Sequence, residues 1–235
     1  MKGKIIFTSI SFICLLISSC QNSDQRGLVV YYPLDGDIRD LAENSSSGRI
    51  VNAVPCEDRF GRKNHAYFFN GTSAYIVTRV KHLPAVDQTQ TISWWFKIEQ
   101  PPAYADSMGA DNMIALVDTA AGIGVQTGYR GPGYHTDGLD TWYWGGRTVL
   151  EEKPPALNQW HQCVYVYEGS VHRFYLDGRE TTQSTVQTQS GVPNICMLGN
   201  YPSGDQFFEG SLDDIRIYNR VLSLTEIENL YNAEE

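Results

Sequence analysis

The sequence predicts an all-β protein in which two antiparallel sheets pack as a sandwich, with one short helix at the C-terminal end. Three observations predict this fold. Short runs of alternating apolar and polar residues recur from residue 27 onward. Asn-Gly, Asp-Gly and Glu-Gly pairs separate several of these runs, as in antiparallel strands joined by tight turns. Helical periodicity is confined to the last residues, which argues against a mainly helical fold.

Several runs along the chain have the composition of strands. They lie at residues 28–34, 66–69, 74–77, 91–98, 160–167, 172–176 and 195–198. The run 91–98 alternates most clearly, because its even-numbered residues from Ile92 to Ile98 are apolar or aromatic and share one face. Asn70-Gly71 lies between two of the runs and predicts a hairpin. Glu168-Gly169 joins two further runs, and the second of these ends in Asp177-Gly178.

The last predicted strand begins at Gly210, and two adjacent acids, Asp213 and Asp214, precede its alternating segment. Ile215 and Ile217 form the apolar side of that segment. Neighbouring residues of a strand point to opposite faces, so we expect one of the two acids to turn inward, where an ionised carboxylate needs a partner. The alternative is an acidic turn in water.

A helix is predicted directly after this strand. Ser223 and Glu226 stand three residues apart, which is the capping-box pattern that begins a helix. The apolar stripe of the helix consists of Leu224, Ile227, Leu230 and Tyr231. We expect the helix to pack this stripe against the edge of the sandwich.

The N-terminus has the composition of an export signal, predicted over residues 1–19. Two lysines precede an apolar run at 5–17 that is too short to cross a bilayer, so we expect a cleavable signal rather than a membrane-spanning helix. Residues 20–26 are polar and predict a short tether. Residues 27–235 are then long enough for one domain with a full core.

Charge and composition argue against several classes of function. The net charge of −9 and the pI of about 5.0 disfavour nucleic-acid binding, because phosphate backbones need a basic surface. Charged residues make up 19% of the chain and aromatic residues 12%, a balance typical of folded β-rich domains rather than of disordered chains.

Of the five cysteines, Cys56, Cys163 and Cys196 lie in the predicted domain and show no metal-ligand spacing. Cys163 and Cys196 each lie in an apolar run. They are candidates either for a disulfide in an oxidising compartment or for two buried thiols. If the disulfide forms, Cys56 is a lone thiol.

The segment 128–146 interleaves glycine and proline with aromatic rings, a histidine and carboxylates. Sugars bind aromatic faces through their C–H patches, and their hydroxyls bind carboxylates or amides, so this composition predicts a carbohydrate-binding loop. The candidate ligand-binding residues are Tyr134, His135, Asp137, Trp142 and Trp144. The alternative is that Trp142 and Trp144, two residues apart, form the inward face of a strand.

A series of short motifs runs through the predicted domain. They are Tyr32-Pro-Leu-Asp-Gly36, Asp58-Arg-Phe-Gly61, Ala66-Tyr-Phe-Phe-Asn-Gly71, Thr91-Ile-Ser-Trp-Trp-Phe96, Gln159-Trp-His161, Tyr175-Leu-Asp-Gly178, Leu198-Gly199 and the closing strand from Gly210. Their order resembles that of bacterial laminin-G-like domains of the concanavalin A-like lectin and glucanase family. The resemblance covers nearly all of residues 27–235 and implies a jelly-roll sandwich. It implies much less about activity, because one fold carries many functions.

The resemblance also implies a structural calcium ion, which in such domains is often bound by oxygens of the opening Asp-Gly loop and of the closing strand. The candidate ligands are Asp35 and Asp213, with Asp37 and Asp214 as alternatives. A few carboxylates, backbone carbonyls and water supply the roughly six to eight oxygens that calcium takes. The alternative assigns these acids to turn capping or to buried pairs with Arg216 or Arg39.

Leu16-Ile-Ser-Ser-Cys20 resembles the lipobox of bacterial lipoproteins, in which the cysteine is acylated and becomes the first residue of the mature chain. The resemblance implies that Cys20 anchors the domain at the cell envelope, on the outer membrane of a Gram-negative bacterium. Several acyl chains on one residue hold a domain at a membrane, whereas a single chain binds only marginally. The alternative is an ordinary signal peptide with an incidental cysteine.

No catalytic pattern stands out in the sequence. Jelly-roll glycosidases of the laminarinase type carry Glu-x-Asp-x-x-Glu, which does not occur here, and the five histidines lie far apart without zinc spacing. The function expected first is therefore non-catalytic carbohydrate binding at the cell envelope. The alternatives are a protein-binding adhesion module and, third, a divergent glycoside hydrolase or lyase. The partner is then a glycan or a cell-surface protein, and the oligomeric state is left open.

Overall fold

The computed structural model describes residues 25–46, 48–100, 110–130, 138–143, 146–151, 155–202, 204 and 206–233. Within these ranges, only the backbone is described at residues 110, 123, 130, 142, 143 and 146–151. The predicted signal at 1–19 and the predicted lipid attachment residue, Cys20, lie outside the described residues.

The described chain is almost entirely β-structure with one C-terminal helix. In chain order the elements are β1 (Leu28–Tyr32), β2 (Arg49–Val51), β3 (Val54–Cys56), β4 (Ala66–Asn70), β5 (Tyr75–Arg79), β6 (Gln90–Ile98), β7 (Ala110–Asp118), β8 (Ile123–Arg130), β9 (Gly138–Tyr143), β10 (Gly146–Glu151), β11 (Trp160–Glu168), β12 (Val171–Leu176), β13 (Arg179–Thr185), β14 (Ile195–Leu198), β15 (Glu209–Tyr218) and α1 (Leu224–Asn232).

The strands form two antiparallel sheets, which confirms the predicted sandwich. In the described residues the larger sheet has eight strands in the order β13–β12–β11–β6–β15–β4–β3, and β1 pairs with β15. The smaller sheet has seven strands in the order β10–β9–β8–β7–β14–β5–β2. Strand β15 changes its neighbour along its length, because residues 209–212 pair with β4 and residues 215–218 pair with β1.

The main hydrophobic core lies between the two sheets. Strand β6 contributes Ile92, Trp94, Phe96 and Ile98 to it, all fully buried, as the alternation of the sequence predicts. Trp95 points to the outer face of the eight-stranded sheet and packs against Tyr231 of α1 instead.

The hairpin predicted at Asn70-Gly71 is wrong, whereas two other turns do form hairpins. The turns at Gly169 and Gly178 join neighbouring strands of the eight-stranded sheet. The Asn70-Gly71 turn instead joins β4 and β5, which lie in different sheets. Asn70 Oδ1 accepts hydrogen bonds from three following backbone N–H groups, so this turn is closed by its own side chain and needs no strand pairing to form.

Helix α1 begins with the predicted capping box. Ser223 Oγ accepts a hydrogen bond from the Glu226 N–H, and the Glu226 carboxylate accepts one from the Ser223 N–H. The helix lies on the outer face of the eight-stranded sheet rather than at its edge, with Ile227 and Leu230 buried against β11 and β12. Leu224 was predicted in the apolar stripe but is 53% exposed, because it occupies the first position of the helix. No helix in the described part of the chain is long and apolar enough to cross a membrane.

The cysteines of the domain are free thiols. Cys163 and Cys196 are buried in the core on opposite sheets, and the structure contains no disulfide between them. This arrangement corresponds to the alternative of two buried thiols. Burial raises the pKa of both thiols, that of Cys196 to about 12, so neither forms a reactive thiolate at neutral pH.

Candidate functional site

One cross-strand row of residues runs across the whole seven-stranded sheet. From β2 to β10 it comprises Arg49, Val77, Met197, Ala115, Gln126, Trp142 and Arg147, each paired with the next. Residues paired in this way share one face of a sheet. Ala115 and Met197 belong to an apolar cluster separate from the core between the sheets, so the row lies on the outer face. We call it the outer row.

The middle of the outer row is apolar and is bordered by tyrosine rings. Ala115 and Met197 are buried together with Val117 on the neighbouring row. Tyr75 and Tyr201 are partly buried and pack against this cluster. Burial raises the pKa of the Tyr201 hydroxyl, so the group stays protonated and can donate a hydrogen bond. The face therefore combines a small apolar floor with two partly exposed aromatic rings.

Gln126 is a polar residue next to Ala115 in the outer row, and glycines lie two residues away on either side of it in β8. At Gly124 and Gly128 a β-carbon would lie 2.3 Å from the carbonyl oxygen of Leu116 or Asp111, so β8 approaches β7 too closely for a larger residue. The Gln126 Oε1 atom is buried without a hydrogen-bond partner among the described residues. A buried carbonyl oxygen of this kind is a natural acceptor for a ligand hydroxyl or a water molecule.

One end of the outer row is cationic. The Arg49 Nη2 atom donates a hydrogen bond of 2.6 Å to the Tyr75 hydroxyl, and the guanidinium lies 5.6 Å from the centre of the same ring. This pair fixes the orientation of the Tyr75 ring beside the apolar floor.

The backbone of Trp142 is placed in this row. It pairs with Gln126 on β8 and Arg147 on β10 and therefore shares their face, whereas Leu139 and Thr141 belong to the opposite face of β9. This register differs from the alternative in which Trp142 belongs to the inward face. The other predicted ligand-binding residues, Tyr134, His135, Asp137 and Trp144, lie outside the described residues.

A second group of polar residues lies on the outer face of the opposite sheet. Arg59 Nη1 lies 3.0 Å from Asp213 Oδ2, and Arg59 Nη2 lies 2.9 Å from Asp214 Oδ2. Arg216 Nη2 lies 3.0 Å from Asp214 Oδ1. The contact to Asp213 has hydrogen-bond geometry, while the two contacts to Asp214 are ion pairs by distance. We call these four residues the ion cluster, and their side chains are almost fully buried.

A β-bulge brings the two acids to the same guanidinium. On β6, Trp95 pairs with Asp213 and Ser93 pairs with Arg216, so β15 has one extra residue between them. Asp214 has a φ of 55°, in the left-handed region. The expectation that the acids are buried and partnered is confirmed, but the expectation that they point to opposite faces is wrong, because the bulge interrupts the alternation.

The acids proposed as calcium ligands are engaged in other contacts. Asp213 and Asp214 have Arg59 and Arg216 as counter-charges, Asp35 Oδ1 lies 2.5 Å from His65 Nδ1, and Asp37 makes an exposed pair with Arg39. No group of three or more His, Cys, Asp or Glu side chains suited to a metal ion occurs among the described residues. In this arrangement the acids do not fit a calcium ion, and calcium binding stays a prediction.

His161 is held by hydrogen bonds to its own strand's surroundings rather than facing either group of residues described above. Its Nδ1 atom lies 2.8 Å from Asp177 Oδ2, while Asp177 Oδ1 accepts a hydrogen bond from the Gln162 N–H. The hydrogen bond with Asp177 raises the pKa of His161. The contact between His161 and Asp177 connects β11 to the turn between β12 and β13.

The sequence of residues 70–228 matches a family model described as the concanavalin A-like lectin/glucanases superfamily. The chain belongs to this superfamily. Among curated proteins, rat usherin (Rattus norvegicus) is 29% identical over 105 residues, which are 37% of this chain and 2% of usherin. The chain therefore spans only a small fraction of that relative.

Solved structures of the superfamily's fold agree with this assignment. Domain 4 of AbnA, an extracellular arabinanase from Geobacillus stearothermophilus solved in complex with arabinotriose, superposes with a TM-score of 0.66 at 18% identity, covering 87% of this chain and 98% of that one. The sialidase of Trypanosoma rangeli superposes with a TM-score of 0.63 at 18% identity, covering 87% of this chain and 32% of that one. At these identities the likeness establishes the fold alone.

Several residues of these sites were not singled out by the sequence. Gln126 and Tyr75 lie on different strands, β8 and β5, and only the strand register brings them to one face. Tyr201 lies beyond the end of β14 and packs against the same apolar cluster. Arg59 stands inside the motif Asp58-Arg-Phe-Gly61, which was visible as a family motif but gave no indication that its arginine reaches the closing strand. An arginine in a loop motif, together with two adjacent acids that need a partner, is the signal that could have identified it.

Proposed function

We propose that this protein is a non-catalytic carbohydrate-binding domain that holds a glycan along the outer row of its seven-stranded sheet. The observation that carries the proposal is the row itself. Together with Tyr75 and Tyr201 beside it, the outer row combines an apolar floor, two partly exposed aromatic rings and the unsatisfied amide oxygen of Gln126 on one face. Aromatic and apolar surface binds the C–H faces of sugars, and the amide binds a hydroxyl.

The length of the row favours an extended ligand. Seven strands with spacings of about 4.8 Å give it a length of about 29 Å. A site of this length suits an oligosaccharide of several units rather than a single sugar. Trp142 is the row position at which we expect a further aromatic platform.

Membership of the superfamily supports carbohydrate as the class of ligand. It does not decide between binding and hydrolysis, because the superfamily is named after both lectins and glucanases. A neighbour of the same fold was solved with arabinotriose, which supports carbohydrate as the class of ligand without locating a site on this chain. The proposed role is non-catalytic, and its support is that none of the seven residues of the outer row is an aspartate or a glutamate, whereas glycosidases use a pair of carboxylates.

The second part of the proposal is that Cys20 carries lipid and displays the domain at the cell envelope. Its support is the sequence Leu16-Ile-Ser-Ser-Cys20 and the apolar run before it. Metabolic labelling with an alkyne fatty acid tests this directly. We expect label on the wild-type protein and none on Cys20→Ser, and a labelled Cys20→Ser chain contradicts the proposal.

Affinity electrophoresis and titration with oligosaccharides test the binding site. The probes are arabinotriose, cellotetraose and laminaritetraose, together with the corresponding polysaccharides, and the protein is full-length in mild detergent. We expect Gln126→Ala and Tyr201→Ala each to weaken binding by about tenfold, as expected for loss of one buried hydrogen bond or one aromatic contact.

The matched control is Phe60→Ala, which removes an exposed ring in the loop after β3 and leaves the outer row intact. Unchanged binding by both outer-row variants contradicts the proposed site. Release of new reducing ends from any of the polysaccharides contradicts the non-catalytic role. Thermal unfolding of each variant verifies that a loss of binding is not a loss of fold.

A further inference from the structure

A groove lies on the opposite side of the molecule, between α1 and the turn that joins β12 to β13. It has a volume of about 740 Å³. The turn contributes Asp177, Gly178 and Arg179 to its wall, and the last turns of the helix contribute Glu228 and Tyr231. We call it the helix groove. It is separate from the outer row, because the two sites lie on the outer faces of different sheets.

The aromatic ring in the groove is held on a rigid support. Tyr231 stacks on Trp95 with ring centres 5.6 Å apart and planes 10° from parallel. Trp95 in turn lies 4.6 Å from the guanidinium of Arg59, which the buried acids of the ion cluster hold in place. Tyr231 is nevertheless 37% exposed. A ring that is both immobilised and partly exposed loses little entropy when a ligand binds it.

The glycine in the turn keeps the groove open beside this ring. Gly178 has a φ of +75°, and a β-carbon there would lie 3.4 Å from Tyr231 Cδ1. A larger residue would therefore be strained in its backbone, and its β-carbon would be in van der Waals contact with the ring.

Charged groups on both walls have no internal partner. The guanidinium of Arg179 and the carboxylate of Glu228 are exposed, and neither makes an ion pair or a hydrogen bond within the described part of the chain. An aromatic ring flanked by a guanidinium and a carboxylate matches the needs of a sugar unit. Its C–H face packs on the ring, while its hydroxyls donate to Glu228 and accept from Arg179.

We infer that the helix groove is a second carbohydrate site, with Tyr231 as its platform and Arg179 and Glu228 as its hydroxyl-binding groups. The inference rests on the proposed function for the class of ligand but not for the position of the site. The groove is lined by the β12–β13 turn and by α1, and we expect it to take a short stretch of glycan, such as a chain end or a branch. Two sites on opposite faces make the domain bivalent, and the protein then cross-links glycan chains.

Isothermal titration of the full-length protein in detergent with arabinotriose, cellotetraose and laminaritetraose tests the inference. We expect two sites in the wild type and one site in Tyr231→Ala. Because Tyr231→Ala removes a stacked ring, the exposed pair Arg179→Gln/Glu228→Gln provides an independent variant, for which we expect about tenfold weaker binding at one site. Leu224→Ala, at the exposed start of the same helix, is the matched control and retains both sites.

The outcomes separate this inference from the proposed function. In the background Gln126→Ala/Tyr201→Ala, we expect the remaining binding to depend on Tyr231 and on the charged pair. If groove variants abolish all binding while outer-row variants leave it unchanged, the groove is supported and the outer row is refuted. If the wild type has one site that groove variants do not affect, or binds none of the probes, the groove is refuted.

Discussion

Arg59 Nη1 lies 3.0 Å from Asp213 Oδ2, although the two residues are 154 positions apart in the sequence. The contact joins the loop after β3 to the bulge of the closing strand. The same guanidinium lies against Trp95, and Trp95 stacks on Tyr231 at the end of α1. A single buried arginine therefore connects an early loop, the central strand β6, the closing strand and the terminal helix.

The first prediction concerns this arginine. Arg59→Met leaves Asp213 and Asp214 buried with only Arg216 as a counter-charge, so we expect the free energy of unfolding to fall by about 3–5 kcal/mol. Urea denaturation followed by tryptophan fluorescence measures the change. Arg39→Met is the matched control, because the Arg39–Asp37 pair is exposed and its loss should change stability by less than about 0.5 kcal/mol. A loss below about 1 kcal/mol for Arg59→Met contradicts the assigned role.

The contrast between β6 and β15 shows what the sequence could predict. The alternation of β6 is local and regular, and it placed all four of its core residues correctly. The bulge in β15 arises from pairing with three other strands, none of which is adjacent in sequence, so alternation alone misassigned its two acids. The Asn70-Gly71 turn was misassigned for a related reason, because turn chemistry is local whereas sheet membership is not.

The candidate site likewise contains residues that the sequence could identify and residues that only the structure identifies. Trp142 was identifiable by its residue type and its neighbours in the sequence. Gln126 became a candidate only because β8 and β14 lie in one sheet, whose register places Gln126 in the same row as Met197. Tyr201 follows β14 and became a candidate only because its side chain packs against the same apolar cluster. The ion pair between Arg59, in the loop after β3, and Asp213 on the closing strand joins residues far apart in the sequence. Hydrophobic periodicity cannot predict a contact of this kind.

A second prediction concerns calcium. If a calcium ion binds the acids of the closing strand, it competes with the guanidinium of Arg59 for the same oxygens. We therefore expect added calcium to raise the Tm of Arg59→Gln more than that of the wild type, since a ligand that binds only the folded state stabilises it by mass action. Thermal unfolding of chelator-treated protein, with and without calcium, measures both shifts. An equal or smaller shift in the variant contradicts the expectation, and Arg39→Gln serves as the control.

A third prediction concerns the capping box of α1. The hydrogen bond from Arg220 lowers the pKa of Glu226 to about 2, and the Ser223 backbone and hydroxyl contribute in the same direction. Since the folded pKa lies below the unfolded value near 4.5, the carboxylate contributes stability above about pH 4.5, and this stability is lost as the pH falls toward 2. We expect Glu226→Gln to cost about 1–2 kcal/mol at pH 7.

Denaturation at pH 7 and at pH 3 checks this prediction. The difference between wild type and Glu226→Gln should be smaller at pH 3, because at that pH Glu226 is protonated in the unfolded chain but still largely ionised in the folded one. Glu228→Gln, whose carboxylate is exposed on the same helix, should show no such dependence on pH. A pH-independent difference for Glu226→Gln contradicts the role of its charge.

The fourth prediction concerns a buried histidine at one end of the core. His172 is fully buried, its Nε2 atom donates to the Val186 carbonyl at 3.1 Å, and its Nδ1 atom lies 3.0 Å from the Tyr165 hydroxyl. With Nε2 as donor to a carbonyl and Nδ1 as acceptor from a hydroxyl, the ring is neutral. Burial lowers the pKa of His172 below its ordinary value of 6.5.

This shift destabilises the fold in mild acid. Below about pH 6.5 the unfolded chain binds a proton at His172 that the native state does not. The free energy of unfolding therefore falls as the pH decreases below that value, by at most about 1.4 kcal/mol per pH unit. His161 works in the opposite direction, because its raised pKa adds stability below about pH 6.5. Comparison of wild type with His172→Gln, by urea denaturation at pH 7.5, 6.5 and 5.5 (about one pH unit apart), isolates the buried ring. We expect the stability advantage of the wild type to shrink steadily toward pH 5.5, and a constant advantage means that His172 takes up its proton in the native state.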